Sequence, residues 1–207
     1  MPWEPSPSAG VWRKRLHLVG PPECGQVTSI VKFGEGASFP AHDHPDGEEI
    51  LVLEGTFSDH EGDWPAGVYL LNPEGFRHAP FSERGCVLFV KLRQYPGREH
   101  VARETTAMAW ESGPLPGIQV KTLHRDAQTA TRLERWRAGT ALGSRSYEGG
   151  AELLVLDGAL HDESSTCDAG SWLRLPPGAH HAPKAPDGCI LYVKTGGVVA
   201  LRSDGGP

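Results

Sequence analysis

The chain repeats itself, and the repeat limits its fold more than any other feature. GEEILVLEG, from Gly47 to Gly55, returns as GAELLVLDG, from Gly150 to Gly158. PEGFRHAP (Pro73 to Pro80) returns as PPGAHHAP (Pro176 to Pro183), and GCVLFVK (Gly85 to Lys91) as GCILYVK (Gly188 to Lys194). All three blocks share an offset of 103 positions without a gap. Upstream, Trp3-Glu4, Gly10-Val11 and Leu16-His17 match Trp110-Glu111, Gly117-Ile118 and Leu123-His124 at an offset of 107. The first copy therefore carries four extra residues, placed most simply in the turn Pro21-Pro22-Glu23-Cys24-Gly25. A period near a hundred residues is too long for a solenoid unit and fits a whole small domain. The duplication predicts two domains, 1–105 and 106–207, joined somewhere within 98–109.

Each copy reads as β structure. Ile50-Leu51-Val52-Leu53 and Val87-Leu88-Phe89-Val90 are short apolar runs bounded by Gly and Pro. Both parities are apolar, so both faces of these strands are expected to be covered. The 26 Gly and 18 Pro residues follow no low-complexity pattern and suit many tight turns. No segment shows a long amphipathic helical period. The nearest, Thr122 to Trp136, aligns with Val19 to Phe33 and is expected to be strand. The fold class is all-β.

Charge and composition exclude some partners. Net charge is −6, and no Lys/Arg run is interleaved with aromatics, so a nucleic-acid footprint is missing. Arg13-Lys14-Arg15 is expected to be a solvated strand face. No apolar stretch approaches the ~18–20 residues of a membrane span, and MPWEPSPSAG lacks the layout of a signal peptide. Cys24, Cys86, Cys167 and Cys189 form no CxxC and no dense framework, which predicts free thiols in a cytoplasmic protein.

Chemistry concentrates in the first copy. His42-Asp43-His44 precedes the apolar strand, and residues two apart on an extended chain face the same way, roughly 7 Å apart. Two such imidazoles can converge on one ion. Glu48 follows the turn Pro45-Asp46-Gly47 and shares the parity of Ile50 and Val52, whereas Glu49 has the opposite parity. His78 follows Pro73-Glu74-Gly75 and can reach the same interior point from another strand.

The spacing of these blocks carries a family resemblance. Gly36, His42, His44, Glu48 and Gly55, followed by Gly67, Pro73, Gly75 and His78, match both halves of the cupin signature in order. The family's usual Asn at the end of the second half is Ser82 here, at a position that is not a ligand. More narrowly, FPAHDHPDGEEILVLEGTFSDHEGDWPAG with NPEGFRHAPFSERGCVLFVKL resembles the ChrR-type cupin domain. That resemblance covers about Trp3 to Gln94 and, more faintly, the second copy. It implies two tandem jelly-roll barrels of the RmlC type. It also implies one divalent metal ion on His42, His44, Glu48 and His78, zinc by family, with Fe, Mn, Ni or Co compatible with the same donors. The separate zinc domain with which such proteins grip a sigma factor has no match here, so anti-sigma activity is not implied.

The second copy serves as a control. At the 103 offset, Arg145, Tyr147 and Ala151 stand where His42, His44 and Glu48 do, and only His181 matches a ligand, His78. The second domain is expected to fold without metal. Its role is structural or recognition of an organic ligand, in which Arg145 and Tyr147 would bond an anion. His180-His181 cannot share an ion, since neighbours on a strand face opposite ways. Cys86 and Cys189 are expected in the core. His17, His60 and His124 are expected to be structural or exposed. Trp12, Trp64, Trp136 and Trp172 are expected to fill core or interface.

Two functions fit. One is a small-molecule or oxidative-stress sensor, with a ligand in the first barrel. The other is a metal-dependent dioxygenase for a small organic substrate. No acid–base pair stands out beyond the ligands, which favours the first. Monomer and homodimer are both compatible with two barrels in one chain.

Overall fold

The computed structural model describes residues 1–21, 24–162 and 165–198. Every regular element among them is a strand. Among the described residues no helix is long and apolar enough to cross a membrane. Two compact units form, Met1–Ala107 and Met108–Pro207.

The first unit contains β1 (Glu4–Pro5), β2 (Val11–Val19), β3 (Gln26–Phe33), β4 (Ala37–Ser38), β5 (His42–Asp43) and β6 (Glu48–Asp59). It continues with β7 (Gly62–Pro65), β8 (Val68–Asn72), β9 (Arg77–His78), β10 (Phe81–Ser82), β11 (Cys86–Leu92) and β12 (Val101–Glu104). Its main sheet runs β1-β2-β3-β11-β6-β10-β4, with β7 and β8 also on β6 and β12 on β8. The second unit contains β13 (Glu111–Ser112), β14 (Ile118–Arg125), β15 (Ala130–Trp136), β16 (Thr140–Ala141), β17 (Arg145–Ser146) and β18 (Ala151–His161). After these come β19 (Thr166–Asp168), β20 (Trp172–Leu175), β21 (His180–His181), β22 (Lys184–Ala185) and β23 (Cys189–Thr195). Its order, β13-β14-β15-β23-β18-β22-β16, repeats the first. The segment expected to join the domains contains β12, which pairs antiparallel with β8 in the first unit.

The long strand β6 organises the site. Its first part lies between β11 and β8, and its last part pairs with β7 and β10. Between these parts, Glu54 faces Val87 and Val52 faces Leu88, so Leu53 is an extra residue. Such a bulge bends a strand and shifts its alternation by one. Gly55 follows at φ 70°, where a side chain would run into the carbonyl of Gly85. Before the bulge, Glu48, Ile50 and Val52 face inward; after it, Phe57 does.

The inner face packs Ile50, Val52, Phe57, Leu70 and Leu88 with Val11 and Phe33. Each such side chain stabilises the fold by about 1.5–3 kcal/mol relative to exposure. The opposite face is buried as well, as its apolar residues require: Leu51, Tyr69, Leu71 and Phe89 are all covered. Glu49 lies on that face and accepts a hydrogen bond from Tyr69 Oη at 2.9 Å.

Some expectations fail on alternation along β2. Val11 faces the core, so Trp12 faces out and is 37% exposed rather than buried. The basic run beside it is half-buried, not a solvated face. Lys14 lies over the Trp3 ring at 4.5 Å, and Arg13 turns inward. Trp136 and the two cysteines Cys86 and Cys189 do lie in the core. Of the turn expected to hold the four extra residues, Pro22 and Glu23 lie outside the described residues.

Candidate metal centre

The two-stranded ladder β5–β9 sets His42 directly opposite His78. The backbone then turns through Asp46 at φ 56° and Gly47 at φ 72°. Gly47 N–H donates to His44 O at 3.2 Å, and β6 begins at Glu48. This tight turn brings His44 and Glu48 to one end of the inner face. His44, Glu48 and His78 are 5%, 6% and 3% exposed, while His42 is half-buried.

The three imidazoles meet. Ring centroids are 4.8 Å apart for His42–His44, 5.1 Å for His42–His78 and 4.8 Å for His44–His78. His44 Nε2 lies 2.8 Å from His78 Nε2. Glu48 Oε2 is 3.3 Å from the first of these nitrogens and 3.8 Å from the second.

The surrounding acceptors fix the tautomers. A carbonyl only accepts, so His42 Nδ1 carries its proton and donates to Pro40 O at 2.9 Å. His78 Nδ1 donates to Asp59 Oδ2 at 3.0 Å. Both rings then turn the Nε2 lone pair toward the cluster. Asn72 Nδ2 donates to Glu48 Oε2 at 2.9 Å and holds that carboxylate in place. Burial lowers the pKa of His44; His78 and His42 push the same way, and Glu48 and Asp43 oppose them. The neutral imidazole, the form that ligates, is thereby favoured. Burial alone would raise the Asp59 carboxyl, but hydrogen bonds from His78, Trp64 and the Glu61 N–H hold it below its usual range.

The donor set fits a divalent ion. Around an ion with bonds of about 2.0–2.1 Å, neighbouring donors sit about 2.9 Å apart at right angles and about 3.4 Å at tetrahedral angles. The separations of 2.8, 3.3 and 3.8 Å span from right-angled to open pairs. One ring nitrogen from each of His42, His44 and His78 lies within 4.8 Å of the others. One proton bridging two buried Nε2 atoms leaves a carboxylate beside them, an arrangement that a cation satisfies better.

The cluster opens on a cavity of about 530 Å³, lined by Val31, Phe33, Ile50, Phe57 and Leu88. That volume lies within the ~300–1,000 Å³ of small-molecule sites.

Asp59 and Asn72 escaped the reading from sequence. A signal existed for both. At the 103 offset Asp59 matches Asp162, and Asp162 Oδ2 lies 3.4 Å from His181 Nε2, the counterpart of the Asp59–His78 pair. Asn72 matches Leu175, and the register pair Glu48–Asn72 is Ala151–Leu175 in the second unit. Apolar residues stand in the second unit where the first has the acid and its supporting amide.

In the second unit, β17 and β21 set Arg145 opposite His181. The Arg145 guanidinium lies 5.5 Å from the Tyr147 ring centre, and Tyr147 and Ala151 pack into the core. His181 is buried while His180 is exposed, as strand alternation requires. Among the described residues, the imidazole cluster able to hold a metal is that of the first unit.

Comparison with known proteins agrees with this architecture. A dioxygenase candidate from Nostoc punctiforme superposes with a TM-score of 0.76 at 14% identity, over 93% of this chain and 76% of that one. The cupin 2 conserved barrel domain protein from Leptotrichia buccalis gives 0.63 at 14%, over 93% and 92%. A salicylate 1,2-dioxygenase from Pseudaminobacter salicylatoxidans gives 0.65 at 13%, over 86% and 75%. At such identities the likeness is one of fold. No curated protein matches the chain by sequence. The ChrR Cupin-like domain family matches it twice, over residues 1–96 and 98–199. Both halves of the chain are thus accounted for, and the protein belongs to the ChrR cupin-like domain family.

Proposed function

We propose that the first unit holds one divalent metal ion on His42, His44, Glu48 and His78 and binds a small organic molecule beside it. The observation that carries this reading is the convergence of two buried imidazoles, a half-buried third and a buried carboxylate at the wall of an apolar cavity. Three nitrogens and one oxygen leave one or two coordination positions for a ligand. Family resemblance favours zinc and a sensing role, in which ligand binding at the ion is the signal. Bound there, the ion supplies Lewis-acid character toward an oxygen of that ligand. His78, steadied by Asp59, and Glu48, steadied by Asn72, keep the donors oriented. The second unit is proposed as a metal-free partner.

The second reading is a metal-dependent dioxygenase. The apolar cavity beside the ligand cluster favours it, as do dioxygenases among the proteins of like fold. Metal analysis of protein purified without chelator separates the two. Stoichiometric zinc without oxygen uptake on small diketones or phenols supports sensing. Stoichiometric iron with oxygen uptake overturns it in favour of the enzyme, and protein that retains no divalent ion overturns both.

A further inference from the structure

We infer that the ligand of the first unit carries an aromatic ring, and that five rings in the cavity wall form its seat. This rests on the reading of that cavity as the binding site. Phe33, Phe39, His42, His78 and Phe57 close a circuit. Ring centres are 5.7 Å apart for Phe33–Phe39, 5.7 Å for Phe39–His42 and 5.1 Å for His42–His78. The circuit closes through His78–Phe57 at 6.1 Å and Phe57–Phe33 at 6.0 Å. Each ring plane is tilted from the next, by 55° at the least and 75° at the most. All five residues line the cavity.

The spacing leaves room for one more ring. A regular pentagon with sides of about 5.7 Å has its centre about 4.9 Å from each corner, within the ~4.5–7 Å of favourable aromatic pairs. Tilted walls offer an inserted ring both edges and faces, the arrangement that aromatic pairs prefer over a face-to-face sandwich. An aliphatic body gains the burial without that electrostatic fit. A cation is also drawn to ring faces, but the charge of the proposed ion repels it. His42 and His78 belong both to the circuit and to the proposed ligand set. A ring seated there therefore lies beside the ion.

The second unit shows that the fold does not ask for these rings. At the 103 offset Phe39 and Phe57 are Leu142 and Leu160, His42 is Arg145, and Phe33 is Trp136. Leu160 and Trp136 are buried in that core, and Leu142 packs against it. The aliphatic positions, by contrast, stay aliphatic: Ile50, Val52, Leu70 and Leu88 are Leu153, Val155, Leu173 and Leu191. Leucine thus serves the barrel at two places where the first unit has phenylalanine. The circuit is broken in the same copy that lacks three of the four proposed metal ligands. Rings and ligand set therefore belong to one site.

The test uses acetohydroxamate, cyclohexanecarbohydroxamate and benzohydroxamate, which share one metal-binding anchor and differ in the body it carries. Calorimetry on the zinc-loaded full chain measures their affinities. Benzohydroxamate should bind about tenfold more tightly than its cyclohexyl analogue, and acetohydroxamate more weakly than benzohydroxamate. Phe39→Leu and, separately, Phe57→Leu should each bring the phenyl-to-cyclohexyl ratio toward one. A weakened ion would weaken all three probes alike and leave that ratio as it was. Phe39 is half-buried, so its variant decides if Phe57→Leu fails to fold. Equal affinities, or a preference for the cyclohexyl probe, overturn the inference while the metal reading stands. So does a phenyl preference that neither variant reduces, or benzohydroxamate bound no better than acetohydroxamate. If no probe binds, zinc content separates the cases: protein that holds zinc overturns the inference alone, and protein that holds none overturns the metal reading with it.

Discussion

Glu48 and Asp59 stand at opposite ends of β6, and both touch the ring of His78. Glu48 Oε2 is 3.8 Å from its Nε2, and Asp59 Oδ2 is 3.0 Å from its Nδ1. A straight strand would hold the two acids about 35 Å apart. The bulge at Leu53 and the bend at Gly55 curl the strand around the histidine instead. Asp59 thus orients His78, a proposed ligand, through the nitrogen that faces away from the cluster. Asp59→Ala should weaken zinc binding about 10–100-fold, read by competition against a chromophoric chelator. Unchanged affinity would show that His78 needs no such support.

The ligand assignment predicts an asymmetry between the copies. His42→Ala with His44→Ala should abolish metal retention, whereas His181→Ala should leave metal content as it was. Elemental analysis of the purified variants decides this. Loss of metal on replacing His181 would contradict the reading of the second unit.

Much of this was legible in the residues themselves. Spacing found the three histidines, and parity chose Glu48 over Glu49, which the structure shows bonded to Tyr69 on the other face. The bulge at Leu53 leaves no mark in composition, so the change of phase beyond it was not legible. Asp59 is odd-numbered and reaches His78 only because the extra residue shifts the phase. Arg13 was hidden for a different reason: three adjacent basic residues look like one solvated run until alternation divides them between two faces.

Acid should destabilise the metal-free protein in two steps. His44 and His181 are held below the ordinary value of 6.5, chiefly by burial, so the folded chain takes up a proton less readily than the unfolded one. Stability is then complete above that value and falls as the pH drops beneath it. Asp59 is held below 3.8, and its contribution, present above that value, fades as the pH falls through its lower folded value. Melting temperatures of chelator-treated protein should be level near pH 8 and decline from about pH 6.5 downward. His44→Gln should flatten part of that decline. A curve without a decline between about pH 7 and pH 5 would refute the histidine contribution.

The thiols should separate by reactivity. Burial, followed by the charges of Glu134 and Asp157, pushes Cys189 up to about 12. Burial raises Cys86 too, against hydrogen bonds involving Ser82 and the Phe33 backbone. Cys24 is exposed. The thiolate is the reactive form, so iodoacetamide near neutral pH should modify Cys24 in the native protein and reach Cys86 and Cys189 only after unfolding. Rapid native labelling of Cys189, seen by peptide mass spectrometry, would contradict this.

The second barrel keeps the strand order of the first, the extra residue at Leu156 and the bend at Gly158. Ala151 and Leu175 fill the places of an acid and its amide. Container and content are thus inherited separately in this protein. The container is built on its apolar face and its glycines, and the same strand order forms around either set of residues at the proposed ligand positions. A handful of substitutions can rewrite what such a barrel holds without rebuilding the barrel, and this chain carries both versions side by side.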